Sequence, residues 1–201
     1  MQYNRLAPDH GLSYNPFKAL VAPRPIAWIS SISKDDILNL APYSFYNAFC
    51  DNPPIIGFSA QKGKDSQRNI EQTKEFVCNI VSYQFRDQMN KTSASVGAEV
   101  SEFEFANIEK VASKLVKPPR VKGIAAAFEC VYLQTVPLTS LDGHQAGYDL
   151  ILGQVVSIYI NDDVITDDGR VDITRYQPLA RLGYKDYASV NEIFELARPK
   201  S

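Results

Sequence analysis

Short apolar runs, rich in β-branched and aromatic residues and separated by turn-forming residues, constrain this chain more than any other feature. Such runs are typical of strands, because a pleated sheet accommodates branched and aromatic side chains well. Strands are predicted at residues 26–33, 38–49, 55–60, 76–83, 128–136 and 148–160. The sequence Asn-Pro-Pro at 52–54 predicts a corner, since proline cannot donate to a central ladder. Gly153 predicts a bulge in the last strand.

Helical patterns are fewer and shorter than the strand patterns. They fall at residues 66–74, 84–95, 102–108 and 191–196, the first with Asp65 or Ser66 as its N-cap. Many strands with few interleaved helices favour an antiparallel barrel or sandwich over a doubly wound sheet. Residues 114–120 are expected to form an extended connector. The 201 residues, 45% of them hydrophobic, predict one domain over residues 1–201.

The overall charge and the cysteines limit the classes of protein to which this chain can belong. A net charge of -2 and a pI near 5.7 argue against a nucleic-acid surface. No apolar run approaches the ~20 residues needed to span a bilayer, and the first residues lack the pattern of a secretory signal. Cys50, Cys78 and Cys130 lie in apolar runs without a C-x-x-C pair, which is typical of buried thiols in a reducing compartment. We therefore expect a cytoplasmic protein that binds neither nucleic acid nor membrane.

The stretch from residue 39 to 70 joins two aromatic-rich runs to a short basic loop and a helix. A loop that leads from a strand into a helix N-terminus suits an anion, because backbone N–H groups and the helix dipole point at it. Lys64 adds a charge and Ser66 a hydroxyl, and the aromatic run can supply a flat wall for a ring. The pattern predicts a nucleotide-like cofactor. The alternative is that Ser66 and Lys64 only cap and flank the helix.

Several other chemistries lack their motifs. Neither His10 nor His144 has a ligand-spaced partner, so no metal site is predicted. Residues 57–61 begin like a nucleophile elbow, but Gln61 stands where glycine is required. Residues 57–66 miss the P-loop spacing, and no G-x-G-x-x-G motif occurs. Hydrolases, metalloenzymes, P-loop NTPases and Rossmann dehydrogenases are therefore disfavoured.

Several segments together resemble the flavin reductase-like family. They are residues 21–28 (VAPRPIAW), 39–45 (NLAPYSF) through the prolines at 53–54, 64–66 (KDS) with 69–70 (NI), 101–104 (SEFE), 153–156 (GQVV) and 178–183 (PLARLG) with Tyr187. Their order and spacing make the match specific. The chain is most similar to the subgroup that includes flavoredoxins and the flavin reductase components of two-component monooxygenases.

This resemblance implies a mainly β fold, an antiparallel six-stranded split β-barrel with a few short peripheral helices, assembled as a homodimer. It implies FMN as cofactor, with FAD also compatible, and NAD(P)H as electron donor. The phosphate end is expected at Lys64, Asp65, Ser66 and Asn69, the ring along Phe45, Tyr46, Asn47 and Ala48, and further contacts at Arg24, His144, Arg181 and Tyr187. No catalytic side chain is assigned, because the flavin carries the chemistry.

Some of these residues keep a structural alternative. Arg24, held extended between two prolines, serves either the cofactor or a carboxylate of the partner subunit. One of Phe45 and Tyr46 is expected to face the core, since strand side chains alternate. His144 lies in a glycine-rich loop, where a lone histidine is more often solvated. Trp28 is expected in the core, and the default for Glu102 and Glu104 is a solvated face.

Three functions fit the sequence. The leading hypothesis is an NAD(P)H:flavin oxidoreductase whose reduced flavin is used by a partner oxygenase or a small acceptor. The second is a non-catalytic flavin-binding protein for electron transfer or flavin storage. The third, a related oxidase acting on pyridoxamine phosphate, requires a second cluster of basic residues, which the sequence lacks.

Overall fold

A computed structural model describes residues 11–199 of the chain. Its strands are β1 (Arg24–Pro25), β2 (Ala27–Ile32), β3 (Leu38–Tyr43), β4 (Tyr46–Asp51), β5 (Pro54–Gln61), β6 (Glu75–Ile80), β7 (Lys110–Val111), β8 (Arg120–Val121), β9 (Ala126–Thr139), β10 (Gln145–Ile160), β11 (Leu179–Arg181) and β12 (Tyr187–Ser189). The helices are α1 (Phe17–Leu20), α2 (Asp65–Thr73), α3 (Arg86–Lys91), α4 (Glu102–Phe105) and α5 (Ile173–Tyr176), with 3-10 turns at Tyr83–Phe85 and Asp162–Val164. The mainly β prediction is confirmed. Within residues 11–199 no helix has the length and hydropathy needed to cross a membrane.

The main sheet is antiparallel and has seven strands in the order β3-β2-β6-β9-β10-β5-β4. The predicted count of six is not confirmed, because the run expected as one strand at 38–49 breaks into β3 and β4. Ser44 and Phe45 connect these two strands, which form the two ends of the strand order. The sheet therefore remains open between β3 and β4.

The inner face of the curved sheet is packed with alternate residues of its strands, as the period of two requires. Buried apolar side chains from five strands form one cluster there: Ala27, Ile29, Ile56, Phe58, Ala60, Phe76, Cys78, Cys130, Ile151 and Val155. Ile70 of α2 belongs to the same cluster. Helix α2 thus contributes to the core that the strands enclose.

A second cluster lies on the other face of the sheet. It contains Trp28 of β2, Val77 of β6, Met89 of α3 and Phe103 of α4, all fully or almost fully buried. The Trp28 indole donates a hydrogen bond to the Thr92 hydroxyl at 2.8 Å, which confirms the expected core position of Trp28. The excursion between β6 and β9 therefore covers this face of the sheet.

A small three-stranded sheet, β1-β11-β12, joins the early part of the chain to its late part. Arg24 is opposite Arg181 in this sheet. The helix expected at 191–196 does not form, and Ile193, Phe194 and Leu196 are largely exposed. Short isolated helices are marginal without a buried face, and this segment buries none of its apolar side chains.

Two local predictions differ from the structure. The register between β9 and β10 shifts beside Gly153, but the predicted bulge at Gly153 of β10 is wrong, because Leu152 pairs with Gln134 and Gly153 with Tyr132, which leaves Leu133 of β9 as the extra residue. The expected N-cap of α2 at Asp65 or Ser66 is wrong, because Lys64 occupies the cap position and no side chain caps the helix. The hydroxyl of Ser66 points instead to buried partners.

Candidate functional site

The start of α2 has backbone hydrogen-bond donors that have no acceptor within the helix. Lys64 is exposed and extended, and the first helical hydrogen bond runs from Arg68 N to Lys64 O at 3.1 Å. The backbone N–H groups of residues 65–67 precede that bond, and such groups have no acceptor within a helix. Gly63, at φ 85°, gives the turn the left-handed backbone that glycine adopts easily. This end of α2 has the donors that an anion requires.

Ser66 and Asn69 lie on the opposite, buried side of α2. The Ser66 hydroxyl accepts a hydrogen bond from Asn39 Nδ2 at 2.8 Å and also contacts the Tyr43 hydroxyl. Burial raises the pKa of Tyr43 to about 12, although the Ser66 hydrogen bond opposes this shift. Asn69 Nδ2 donates to Ser31 Oγ at 3.3 Å. Both residues therefore fasten α2 to β2 and β3.

Asp65 is the one predicted phosphate residue that carries a negative charge. Its carboxylate pairs with the guanidinium of Arg68, one turn further along α2. The pair compensates the charge of Asp65, so the ammonium of Lys64 sets the charge at the start of the helix.

The connection between β3 and β4 lies beside the end of β5. Ser59 N of β5 donates to Phe45 O at 2.7 Å, and the strand then continues into the Lys62–Lys64 loop. The Phe45 ring lies 5.8 Å from the Arg24 guanidinium and 5.9 Å from Lys18 Nζ. An aromatic ring with two neighbouring cations thus lies between the start of α2 and the small sheet.

Arg24 is buried and is engaged by the backbone. Its guanidinium donates to the carbonyls of Lys18 and Val21, and to Leu182 O at 2.6 Å. Burial, together with the neighbouring Arg181, lowers the pKa of the Arg24 guanidinium. These bonds hold the α1 turn against the segment after β11, a structural role that the sequence did not reveal. The predicted cofactor contact of Arg24 stays a prediction.

Residues of β4 line an apolar cleft of about 560 Å³. Tyr46, Asn47 and Ala48 contribute one side, and the rest includes Ile80, Phe128, Ile158, Val164 and Pro178. Tyr46 also packs on the inner cluster and hydrogen-bonds with the Cys78 thiol. Burial raises the pKa of both groups, to about 12 for Cys78. Of the two alternating aromatics, Tyr46 is therefore the one that faces the core.

A larger cleft of about 880 Å³, here called the cationic cleft, lies between the α3 region and the small sheet. The predicted residues Arg181 and Tyr187 line it, together with Ser44 from the connection after β3. The sequence reasoning missed Tyr83, Arg86 and Lys185, which also line the cleft. The sequence holds one local sign of this cleft: the aromatic Tyr83 lies three positions before the basic Arg86.

His144 lies in the exposed turn between β9 and β10. The turn is held by hydrogen bonds of Ser140 and Asp142 with the His144 backbone. Lys62 N donates to Gly147 O at 3.0 Å, so the hairpin and the loop before α2 are adjacent. The exposure of His144 agrees with the solvated alternative.

The predicted residues thus fall into neighbouring groups. The start of α2 holds Lys64 to Asn69, β4 holds Tyr46 to Ala48, and the small sheet brings Arg24, Arg181 and Tyr187 together. Phe45 lies between the groups, while His144 adjoins only the loop before α2. Backbone donors and a lysine fit a phosphate, and clefts of these sizes fit a cofactor of nucleotide size. The donor set therefore suits a phosphorylated, ring-bearing cofactor such as FMN.

Comparisons with known proteins agree with this fold. The model of the flavin reductase like domain matches residues 20–180. Component B of nitrilotriacetate monooxygenase from Bacillus cereus is 30% identical, with 98% of each chain covered and a TM-score of 0.89. A split-barrel protein from Shewanella frigidimarina is 21% identical (91% and 90% covered, TM-score 0.81). Flavoredoxin of Desulfovibrio vulgaris is 19% identical (98% and 97% covered, TM-score 0.78).

The fold is therefore that of the split-barrel proteins. The chain belongs to the flavin reductase-like family, as its sequence motifs indicated, and its class is that of the flavin-related oxidoreductases.

Proposed function

We propose that this protein binds FMN and transfers a hydride from NAD(P)H to flavin. The observation that carries the proposal is the donor-rich start of α2, next to an aromatic corner, in a chain of this family. Lys64 and the N–H groups of residues 65–67 would hold the phosphate. The corner from Phe45 to Ala48 would border the ring.

The bound flavin would supply the redox chemistry, and the protein would supply binding and orientation. The apolar lining of the β4 cleft excludes water from one side of such a ring. Tyr46, packed on the inner cluster, and the β4–β5 ladder hold the ring-binding segment in place. FAD remains compatible, because its additional half would lie beyond these residues.

The reduced flavin would serve a partner oxygenase or a small acceptor. The Bacillus cereus relative is named as a component of a nitrilotriacetate monooxygenase, which supports a two-component arrangement without identifying an oxygenase for this chain. Three free cysteines support the expectation of a reducing, cytoplasmic compartment.

Spectroscopy and turnover test the function. We expect the purified protein to bind FMN, with the absorbance of an oxidised flavin, and to oxidise NADH or NADPH when FMN is supplied. A colourless protein that binds neither FMN nor FAD would contradict the cofactor proposal. Flavin binding without oxidation of either donor would instead support the electron-transfer or storage alternative.

The two residues at the start of α2 have separable roles. Lys64→Ala should weaken FMN binding about tenfold or more with little change in stability, because it removes an exposed charge from the phosphate. Ser66→Ala should lower the free energy of unfolding by about 1–2 kcal/mol, because it leaves Asn39 without its buried partner. FMN titration and urea unfolding measure the two effects, with Lys122→Ala as control. Equal FMN affinity in Lys64→Ala and wild type would place the phosphate elsewhere.

We also propose that the protein is a homodimer. The long antiparallel pair β9–β10 carries a series of exposed apolar side chains along its length, here called the ribbon face: Leu133, Val136, Leu138, Val156 and Ile158. Large exposed apolar surfaces mark protein interfaces. Ile158 also lines the apolar β4 cleft, so a second copy on the ribbon face would lie beside the proposed flavin site.

A further inference from the structure

The cationic cleft has a charge opposite to that of the chain. Arg86, Arg181 and Lys185 line it against a single carboxylate, Asp87, whereas the whole chain has a net charge of -2. The Asp87 side chain is 82% exposed and lies 3.5 Å from Arg86, so solvent screens this pair. No carboxylate of residues 11–199 lies within ion-pair distance of Arg181 or Lys185. The cleft therefore favours an anionic ligand.

Each arginine of the cleft is held against a tyrosine. The Arg86 guanidinium lies 4.2 Å from the centre of the Tyr83 ring and donates to Tyr83 O at 3.1 Å. The Arg181 guanidinium lies 4.3 Å from the Tyr187 ring and donates to Tyr184 O. A guanidinium has five N–H donors, so both groups are oriented and retain donors for a ligand.

The two sides of the cleft are fixed by the backbone. Tyr83 N donates to Gln177 O at 2.9 Å, and Leu179 N donates to Val81 O at 2.9 Å. The buried side chains of Ile26, Met89 and Leu179 are among the lining residues. The cleft therefore combines apolar lining, flat aromatic rings at its sides, two oriented guanidinium groups and the ammonium of Lys185 in about 880 Å³.

We propose that the cationic cleft binds the adenosine diphosphate half of a dinucleotide. Its phosphates contact Arg86, Arg181 and Lys185, and its adenine packs against a tyrosine ring. Two ligands contain this adenosine diphosphate group, the nicotinamide donor and FAD. Only the choice between these two ligands rests on the proposed function. The site differs from the start of α2, where the FMN phosphate is proposed.

Calorimetric titration with ADP and with adenosine tests the site, in the presence and absence of saturating FMN. We expect ADP to bind and adenosine to bind about tenfold more weakly or worse, because it lacks the charged contacts. The double variant Arg86→Gln/Lys185→Gln should lose about tenfold or more of the ADP affinity. Lys122→Gln, an exposed lysine paired with Glu109, is the control and should bind ADP like wild type.

The source follows from two further measurements on the double variant. A raised KM for NADH or NADPH identifies the donor as the source, and a weakened affinity for FAD relative to FMN identifies the flavin. The proposal is wrong if ADP does not bind, if FMN displaces ADP, or if the double variant changes neither the KM nor the FAD affinity. The titration without FMN reports on the cleft even if the protein fails to bind flavin.

Discussion

Glu102 shows how the environment of one residue overrides the default for its type. A solvated face was the expectation for this glutamate, but only 6% of it is exposed, and its carboxylate accepts a hydrogen bond from Leu40 N at 2.9 Å. Burial raises the pKa of Glu102, Asp65 adds to this, and the hydrogen bonds from Leu40 N and from its own backbone oppose it. The folded state therefore binds the Glu102 proton more tightly than the unfolded chain does.

This raised pKa makes stability depend on pH. Because the pKa is higher in the folded state, stability falls as pH rises from the ordinary glutamate value through the raised one. Glu102→Gln should therefore gain stability relative to wild type as pH rises from 4 to 7, by about 1.4 kcal/mol for each tenfold difference in proton affinity between the folded and unfolded states. Urea unfolding at both pH values measures the difference. Glu104→Gln, at an exposed neighbour, is the matched control, and a flat difference for Glu102→Gln would contradict a raised pKa of Glu102.

At the start of α2, the sequence predicted the local structure better than the orientation of the side chains. The basic loop and the helix after it were foreseen, and the structure has both. The direction of the Ser66 hydroxyl depends on Asn39 and Tyr43, which are distant in sequence, and Arg24 similarly depends on carbonyls from both ends of the chain. Contacts of this kind cannot be derived from a local pattern.

Among the elements, the strands were predictable where alternation was clear and less so where it was interrupted. Strands β5 and β10 fall close to the predicted positions, because their apolar alternation ends at clear turns. The run from 38 to 49 is rich in apolar and aromatic residues and was predicted as one strand, yet it breaks at Ser44 and Phe45. That break separates the two edge strands of the sheet, so it reflects the tertiary fold and not the local propensity.

The close packing at Gly153 of β10 has an element-scale consequence. A Cβ added at Gly153 would lie 2.4 Å from Phe76 Cε1, and Phe76 is fully buried in the inner cluster. Gly153→Ala should therefore lower the free energy of unfolding by about 1–3 kcal/mol through overpacking. Urea unfolding measures the loss, with Gln154→Ala at the partly exposed next position as control. Wild-type stability of Gly153→Ala would show that Phe76 moves aside freely.

At the scale of the whole molecule, the ribbon face makes the oligomeric state testable. Leu133→Asp, at a leucine that is 44% exposed, should convert a dimer into a monomer, because a carboxylate would be buried at the interface. Light scattering coupled to size-exclusion chromatography measures the mass. Leu115→Asp is the matched control, since Leu115 is 63% exposed on the connector before β8. A monomeric wild type, or a dimeric Leu133→Asp, would contradict the proposed interface.

Only part of the cationic cleft could be predicted from the sequence. Arg181 and Tyr187 were identified through the family motif, whereas Tyr83, Arg86 and Lys185 were not. The cleft exists because the segment after β6 meets the start of β11, through the hydrogen bonds of Tyr83 N with Gln177 O and of Leu179 N with Val81 O. Such a meeting of distant segments has no signature in either segment alone.

Trp28 gives the molecule a built-in optical reporter. It is the only tryptophan of the chain, it is fully buried, and its indole is bonded to Thr92, directly after α3. Its fluorescence emission therefore senses the packing of α3 against the sheet, and α3 carries Arg86 and Asn90 of the cationic cleft. Loosening of this wall would shift the emission to longer wavelength before the strands themselves unfold.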